Sequence, residues 1–314
     1  PAIRGFSPAG AARQSELEAA FRAVPTPERA RLDLWALTSA PHVAGTPEDY
    51  ETAKFVLEQF RAAGLDAEIA EYHALLPMPR EVEVDLVEPF KRKGPTPEGG
   101  RTPHQDTQDP RVVPAYNAYS PSGDVTARVV YANYGLPEDY DRLKELGIDV
   151  AGKIVLVRYG KCFRGVKAYV AQQNRAAGLL LYSDPADDGY RQGDAYPRGP
   201  WRPPTGVQRG SILFLTEHAG DPLTPGIAAT KGAKRLALKD ASTLPRIPTT
   251  PISYEDASPI LENLGGPVAP QAWQGALPLT YHVGPGAAKV HLKLDMDFRI
   301  RPIWNVTARI PGTS

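Results

Sequence analysis

The sequence lacks several features that define common protein classes. Its single cysteine, Cys162, excludes an internal disulfide. Its 36 basic and 36 acidic side chains give a formal net charge of zero. This balance argues against nucleic acid as the main partner, because phosphate binding needs a basic excess. No run approaches the roughly 18 apolar residues that a transmembrane helix needs, and no signal-peptide pattern is visible.

The usual signatures of hydrolytic chemistry are missing as well. The six histidines form no His-x-x-x-His or His-Glu-x-x-His pair, and there is no Gly-x-Ser-x-Gly elbow, phosphate loop or dinucleotide fingerprint. The single His-x-Asp sequence, His104-Gln105-Asp106, lies in a loop rich in proline and glycine, which favours a solvated loop over a metal site. Cys162 has no recognisable catalytic partner, which favours an inert side chain over a nucleophile.

The first 90 residues predict helices followed by strands. Thr26-Pro27-Glu28 and Thr46-Pro47-Glu48 are both typical helix starts, with a capping hydroxyl, a proline at the first helical position and an acid in the first turn. An earlier helix is predicted over 11–23. Strands near 67–75 and 81–88 follow, and their proximity predicts a hairpin.

The chain from 91 onward has a different character. Residues 91–123 are rich in Pro, Gly, Thr and Asp without periodicity, as in a linker. Strands and helices then alternate, which predicts an α/β fold with parallel pairing. The long loop 184–210 is typical of a functional segment. The predicted strands after 123 are 125–134, 153–158, 179–182, 212–215, 278–283, 289–297 and 304–310, and the predicted helices are 137–146, 166–177 and 254–264.

Two polar motifs stand out against this background. The segment from Arg158 to Gly165 follows an apolar strand and precedes a helix, a common place for a ligand site in α/β domains. Its glycine-flanked arginine, Arg164, has the planar fork that binds a carboxylate. The alternative is a structural arginine paired with an internal acid. The second motif runs from Gly206 to Ser211, at the end of the long loop.

These motifs resemble the glutamate carboxypeptidase II and transferrin receptor-like family of zinc peptidases. Further matches occur in the same order along nearly the whole chain, and several are long and specific. The matching segments are Pro41–Thr46, Gly152–Gly165, Leu181–Asp187, Gly206–Gly210, Gly220–Gly226 and Val283–Gly286.

The resemblance implies an α/β fold in which split peptidase-domain segments, made of helices and strands, flank an inserted protease-associated α/β domain. Residues 1–90 would be the first peptidase segment, 91–290 the protease-associated (apical) domain, and 291–314 the start of the second peptidase segment, ending before the zinc site. Two zinc ions would be held by residues outside this chain, so no catalytic residue is expected within it. The resemblance also implies a homodimer in the full-length protein and a secreted, periplasmic or extracellular location.

The family's substrate pocket maps onto the two motifs. Arg164 corresponds to the arginine that binds the α-carboxylate of the substrate's terminal residue, and Phe163 would line the pocket. Ser211 stands where the family has an Asn that touches the side-chain carboxylate of glutamate, and its shorter side chain weakens the expectation of strict glutamate specificity. The family's structural calcium would take backbone carbonyls of Thr224 and Ile227.

The leading functional interpretation is therefore the amino-terminal portion of a zinc-dependent exopeptidase that removes a carboxyl-terminal, acidic residue from peptides. On its own, the chain is expected neither to hold catalytic zinc nor to hydrolyse peptides. One alternative is a non-catalytic binding protein of the transferrin receptor type. The other is a stand-alone protease-associated interaction module, which is disfavoured because the flanking segments would expose apolar faces.

Overall fold

A computed structural model describes residues 3–98 and 109–312. The chain begins with three helices whose starts share one device. Ser7, Thr26 and Thr46 each accept a backbone N–H through the side-chain oxygen, from Gly10, Arg29 and Asp49 respectively, and a proline follows each cap. This is the geometry that the Thr-Pro-Glu sequences predict. The helices are α1 (Pro8–Ala23), α2 (Pro27–Leu37) and α3 (Pro47–Ala62).

The structure divides into two compact units. One contains the residues up to Ala70 and those from Trp304 onward, and the other is Glu71–Ile303. Inside the first unit, the rings of Tyr50 and Trp304 lie 4.8 Å apart between centroids. This contact joins helix α3 to the carboxyl-terminal end of the chain.

A six-stranded sheet organises the strands in the order β1-β8-β3-β4-β5-β7. Strands β3, β4, β5 and β7 run parallel, whereas β8 is antiparallel to β3. A separate pair, β2 and β6, is parallel. The strands are β1 (Asp66–Glu88), β2 (Asn117–Ala118), β3 (Gly123–Tyr131), β4 (Ile154–Arg158), β5 (Gly178–Tyr182), β6 (Gly210–Ser211), β7 (Thr249–Ile252) and β8 (Lys289–Arg309).

The core lies around the parallel strands. Every residue of β4 and β5 is buried, as expected for parallel strands that are covered on both faces. Their apolar side chains form one cluster with residues of three helices. These helices are α4 (Pro137–Glu145), α5 (Arg164–Gln173) and α6 (Tyr254–Glu262). The predicted α/β class and the predicted parallel pairing are confirmed. Within the described ranges, no helix is long and apolar enough to span a membrane.

The predicted hairpin is wrong, because 66–88 is one continuous strand. Pro77 and Pro79 lie inside it and lack a backbone N–H. Strand β1 lies at the edge of the six-stranded sheet, next to β8, and an edge strand tolerates proline because one side of it has no neighbouring strand of the sheet to pair with. Likewise, the strands predicted at 289–297 and 304–310 are one strand, β8, which continues through Pro302. The pairing of β8 with β3 ends earlier, at Leu294.

Two predicted short strands differ from the structure, and two observed strands, β2 and β7, have no counterpart among the predicted ones. The strand expected at 212–215 is instead Gly210–Ser211, and 278–283 contributes only an isolated bridge between His282 and Val268. Strand β7 was missed because it lies in a proline-rich stretch. It is the other edge of the sheet, where Pro251 is tolerated.

Candidate carboxylate-binding site

The two polar motifs meet in the unit Glu71–Ile303. Phe163 has an extended backbone and caps α5, and Arg164 is the first residue of that helix. Ser211 lies in the short strand β6, which pairs with β2 in the register Ala118↔Ser211. The sequence separates Arg164 and Ser211 by a long loop, and the fold brings their segments together.

Two glycines permit this approach. A Cβ on Gly165 would lie 2.2 Å from the backbone oxygen of Leu213, and one on Gly210 would lie 2.3 Å from Nη1 of Arg164. Real Cβ atoms do not come so close to another heavy atom. The glycine of each motif therefore makes room for the other motif.

The Arg164 guanidinium is half-buried between aromatic rings. Its Cζ is 5.5 Å from the centre of the Phe163 ring and 5.8 Å from that of Tyr159. Its Nε is buried without a hydrogen-bond partner among the described residues. Across residues 3–98 and 109–312, no carboxylate lies within 4.0 Å of its nitrogens. The first turn of α5 also carries no acidic residue, and a helix amino terminus favours a bound anion.

The neighbouring cations of the same motif have structural partners. Arg158 is only 2% exposed, and it donates to Asn133 Oδ1 at 2.6 Å and lies 3.5 Å from Asp187 Oδ2. Lys167 is fully buried and donates to the carbonyl oxygens of Tyr134 and Gly160, at 2.5 and 2.8 Å. Burial lowers the pKa of Lys167. Arg164 differs from both neighbours because no carbonyl, amide or carboxylate oxygen of the described residues pairs with it, and its side-chain hydrogen bond is to the Tyr159 hydroxyl.

Ser211 is half-buried, and its Oγ accepts the N–H of Leu213 at 3.2 Å. The hydroxyl can still donate one hydrogen bond. It follows Gly210 directly, on which the Arg164 guanidinium lies. The roles assigned to Phe163, Arg164 and Ser211 remain predictions.

Two residues next to Arg164 were not singled out by sequence. Tyr159, within the first motif, is 6% exposed, and burial raises its pKa. Hydrogen bonds from Asn117 and Arg164 and the charge of Arg164 partly offset this effect. Asn117 is fully buried and donates to both Tyr159 and Gly210. No local pattern marks it, because it lies in a stretch that the composition describes as a linker.

The suggested calcium ligands lie in one turn. The N–H of Ile227 donates to the carbonyl oxygen of Thr224 at 3.2 Å, so that carbonyl already accepts one hydrogen bond. The Asp221 carboxylate accepts from Leu75 N at 2.6 Å and from Thr224 Oγ1 at 3.0 Å. Calcium binding by Thr224 and Ile227 remains a prediction.

The described residues do not fit a zinc centre. Within 3–98 and 109–312, no group of three or more His, Cys, Asp or Glu side chains converges at metal-binding distance. A zinc site normally needs three or four such ligands. His104-Gln105-Asp106 lies outside the described residues.

Comparisons with known proteins show which family the chain belongs to. Residues 125–214 match the PA domain family. The Aminopeptidase NAALADL1 of Mus musculus is 39% identical over 269 residues, which are 82% of this chain and 36% of the mouse protein. A Glutamate carboxypeptidase 2 homolog of Caenorhabditis briggsae is 36% identical over 303 residues, 88% of this chain and 38% of that protein. The chain fits the glutamate carboxypeptidase II and transferrin receptor-like peptidase family.

The resemblance inferred from the sequence motifs is thereby confirmed. The chain spans less than half the length of these curated relatives. Among solved structures, an aminopeptidase from Aneurinibacillus sp. strain AM-1 aligns with a TM-score of 0.45 and 18% identity, covering 88% of this chain and 46% of the aminopeptidase.

Proposed function

We propose that this chain is the amino-terminal part of a zinc-dependent exopeptidase of the glutamate carboxypeptidase type. The parent enzyme would remove a carboxyl-terminal, acidic residue from a peptide. Family membership supports the proposal, as do relatives named glutamate carboxypeptidase and aminopeptidase. In this proposal, the protease-associated domain supplies the pocket for the terminal residue of the substrate.

The observation that carries the proposal is the environment of Arg164. Its guanidinium is held between two aromatic rings at a helix amino terminus, and no described acid lies within ion-pair distance. A planar fork in that setting suits a bidentate carboxylate ligand, and each charge-assisted hydrogen bond contributes roughly 1.5–3 kcal/mol. A structural arginine would instead have a fixed partner, as Arg158 does.

The chain's own residues would then bind and orient the substrate. Arg164 would donate both terminal nitrogens to the α-carboxylate, and Phe163 would form an apolar wall beside it. The Ser211 hydroxyl would donate to the side-chain carboxylate of an acidic terminal residue. Holding one end of the peptide in this way fixes the scissile bond relative to the catalytic groups.

The metals, the oligomer and the location belong to the same proposal. Two zinc ions would be held by residues outside this chain and would supply the hydrolytic chemistry. A calcium ion would contact the carbonyls of Thr224 and Ile227. The parent protein would form a homodimer and be secreted or periplasmic, and the 314-residue chain would be inactive alone. Metal analysis of the dialysed chain with a peptidase assay tests the last point, and stoichiometric zinc with turnover would contradict it.

A transferrin receptor-like binding protein is the alternative function. Such a receptor has no need of a guanidinium that is kept clear of internal acids beside an aromatic wall. The arrangement around Arg164 therefore favours the peptidase.

The decisive experiment changes Arg164 to lysine in the peptidase that contains this chain. Arg164→Lys keeps the charge and loses the fork. We expect KM for an N-acetylated dipeptide ending in free glutamate to rise about tenfold or more, with a smaller change in kcat. The same peptide with an amidated α-carboxyl group should already be a poor substrate for the wild-type enzyme. The substitution should change its KM little.

A matched control is Arg235→Lys. Arg235 donates to the backbone oxygens of His73, Ala233 and Thr230, away from the candidate site. The Arg235→Lys substitution should leave unchanged the ratio of the KM values for the free and the amidated peptides. If Arg164→Lys also leaves that ratio unchanged, Arg164 does not bind the terminal carboxylate and the proposed pocket is wrong.

A further inference from the structure

We propose that Asn117 is a positioning residue for Arg164, holding in place the two surfaces on which the guanidinium lies. The inference rests on the proposed function, because it concerns how the carboxylate site is built. It assigns a role to a residue in the short strand β2, 47 residues before Arg164 in the chain (164 minus 117).

Asn117 uses its amide nitrogen twice. Nδ2 donates to the carbonyl oxygen of Gly210 at 3.1 Å and to the hydroxyl of Tyr159 at 3.3 Å. The backbone pairs with Gly210 in the β2–β6 register, and the side chain is fully buried. One carboxamide therefore ties the strand that carries Gly210 and Ser211 to the ring of Tyr159.

The two groups that Asn117 holds are groups that Arg164 contacts. The Cζ of Arg164 lies 5.8 Å from the centre of the Tyr159 ring. Its Nη1 and Cζ lie so close to Gly210 that an added Cβ would be 2.3 and 2.6 Å from them. A small shift of either surface would change the direction of the guanidinium fork.

The polar atoms at this contact are not all paired. Asn117 Oδ1 and Arg164 Nε are both buried, and neither has a hydrogen-bond partner among the described residues. Buried polar groups in ordinary cores are paired, because an unmade hydrogen bond costs about 1–3 kcal/mol.

The chemistry explains why the residue is an amide. Its two N–H groups serve the carbonyl of Gly210 and the hydroxyl of Tyr159 together. An aspartate would turn a carboxylate oxygen toward the Gly210 carbonyl, where two acceptors repel. It would also place a negative charge close to Arg164 and compete with the substrate carboxylate.

The test compares Asn117→Leu and Asn117→Asp with the wild-type sequence in the peptidase that contains this chain. Both should raise KM for the peptide ending in free glutamate about fivefold or more, with kcat changed less than twofold. KM for the amidated peptide should change less than twofold. Asn174→Leu is the control, because Asn174 caps the other end of α5 and its Nδ2 donates to Val170 O at 2.9 Å.

A double-mutant cycle separates positioning from general damage. If Asn117 acts through Arg164, Asn117→Leu should have less than a twofold effect on KM once Arg164 is already lysine. A full additional effect in that background would overturn the inference. If Arg164→Lys itself has no effect on the free-carboxylate peptide, it is the proposed function that fails.

A gentler variant covers the case in which the Asn117 variants do not fold. Tyr159→Phe removes one acceptor of the Asn117 amide and keeps the ring against Arg164. We expect the 15Nε–1H NMR signal of Arg164 in the 314-residue chain to shift and to gain mobility in this variant, while the circular dichroism spectrum is unchanged. An unaltered Arg164 signal would contradict the positioning role.

Discussion

The Arg164 guanidinium lies directly on the Cα of Gly210, so that a Cβ built there would be 2.3 Å from Nη1 and 2.6 Å from Cζ. The neighbour that must move is the far end of a flexible side chain. The fold can therefore absorb an alanine at this position, whereas the direction of the guanidinium cannot stay the same. This contact links the motif Gly206–Ser211 to the motif Arg158–Gly165.

The first prediction concerns Gly210→Ala. We expect a change of less than about 1 kcal/mol in the free energy of unfolding, together with a rise of about fivefold or more in KM for a peptide with a free terminal carboxylate. Denaturant unfolding of the chain and kinetics of the proposed parent peptidase measure the two effects. Gly232→Ala is the control, since a Cβ there meets nothing within 4 Å. Unchanged KM in Gly210→Ala would show that the position of Arg164 does not matter for binding.

Gly165→Ala should behave in the opposite way. Its Cβ would lie 2.2 Å from the backbone oxygen of Leu213, which cannot rotate aside. Overpacking of this kind typically destabilises a protein by about 1–3 kcal/mol, and we expect that loss in the free energy of unfolding. Chemical denaturation against the Gly232→Ala control measures it. An unfolding midpoint equal to that of the wild type would contradict the close approach of the two motifs.

The α/β alternation could be predicted because it depends on local sequence. Leu179–Tyr182 is an uninterrupted apolar run, and such runs form strands that are buried on both faces. The Thr-Pro-Glu starts predicted two helices, because capping is decided within four residues. The segments Arg158–Gly165 and Gly206–Ser211 could be singled out because polar motifs that contain glycine are visible in the sequence itself.

Other features depend on contacts between distant residues and have no local signal. Pro77 interrupts the pattern of β1, and only the position of that strand at the sheet edge explains why it continues. Asn117 is separated from its partner Gly210 by 93 residues, and its strand has two residues. Periodicity cannot detect a strand of that length, so the sequence gives no signal for Asn117, the residue that we propose positions Arg164.

Asp184 offers a test of the core beneath the long loop. Its carboxylate is fully buried, and Oδ2 accepts hydrogen bonds from the hydroxyls of Tyr182 and Tyr281, at 3.0 and 2.5 Å. The N–H groups of Ala186 and Ala276 donate to Oδ1, both at 2.9 Å. These two hydroxyls and two N–H groups all donate to Asp184. In an asparagine at this position, the NH₂ group would replace one of the two accepting oxygens and would face two of these donors.

Asp184→Asn should therefore lower the free energy of unfolding by about 2–4 kcal/mol, since a buried donor left without an acceptor costs about 1–3 kcal/mol. The denaturation midpoint measures the change. Asp141→Asn is the control, because Asp141 is exposed and forms a surface ion pair with Lys144, worth at most about 1 kcal/mol. Equal small losses in both variants would show that the Asp184 network does not stabilise the fold.

The last prediction concerns alkaline pH, where buried tyrosines should control stability. Burial raises the pKa of Tyr119 and of Tyr254 to about 12, and it raises the pKa of Tyr131, Tyr140 and Tyr182 further. Between the unfolded pKa of about 10 and these folded values, the folded state keeps protons that the unfolded state has lost. Stability is therefore fully present below pH 10 and falls as the pH rises, by at most about 1.4 kcal/mol per pH unit for each tyrosine still protonated.

Absorbance at 295 nm should show part of the 14 tyrosines ionising only when the chain unfolds. Tyr119→Phe, which removes one such proton and a hydrogen bond to Leu75 O at 2.9 Å, should lower stability at neutral pH and make its decline above pH 10 less steep. Ionisation of all tyrosines near pH 10, with the circular dichroism spectrum of the folded chain preserved, would contradict the burial of these side chains.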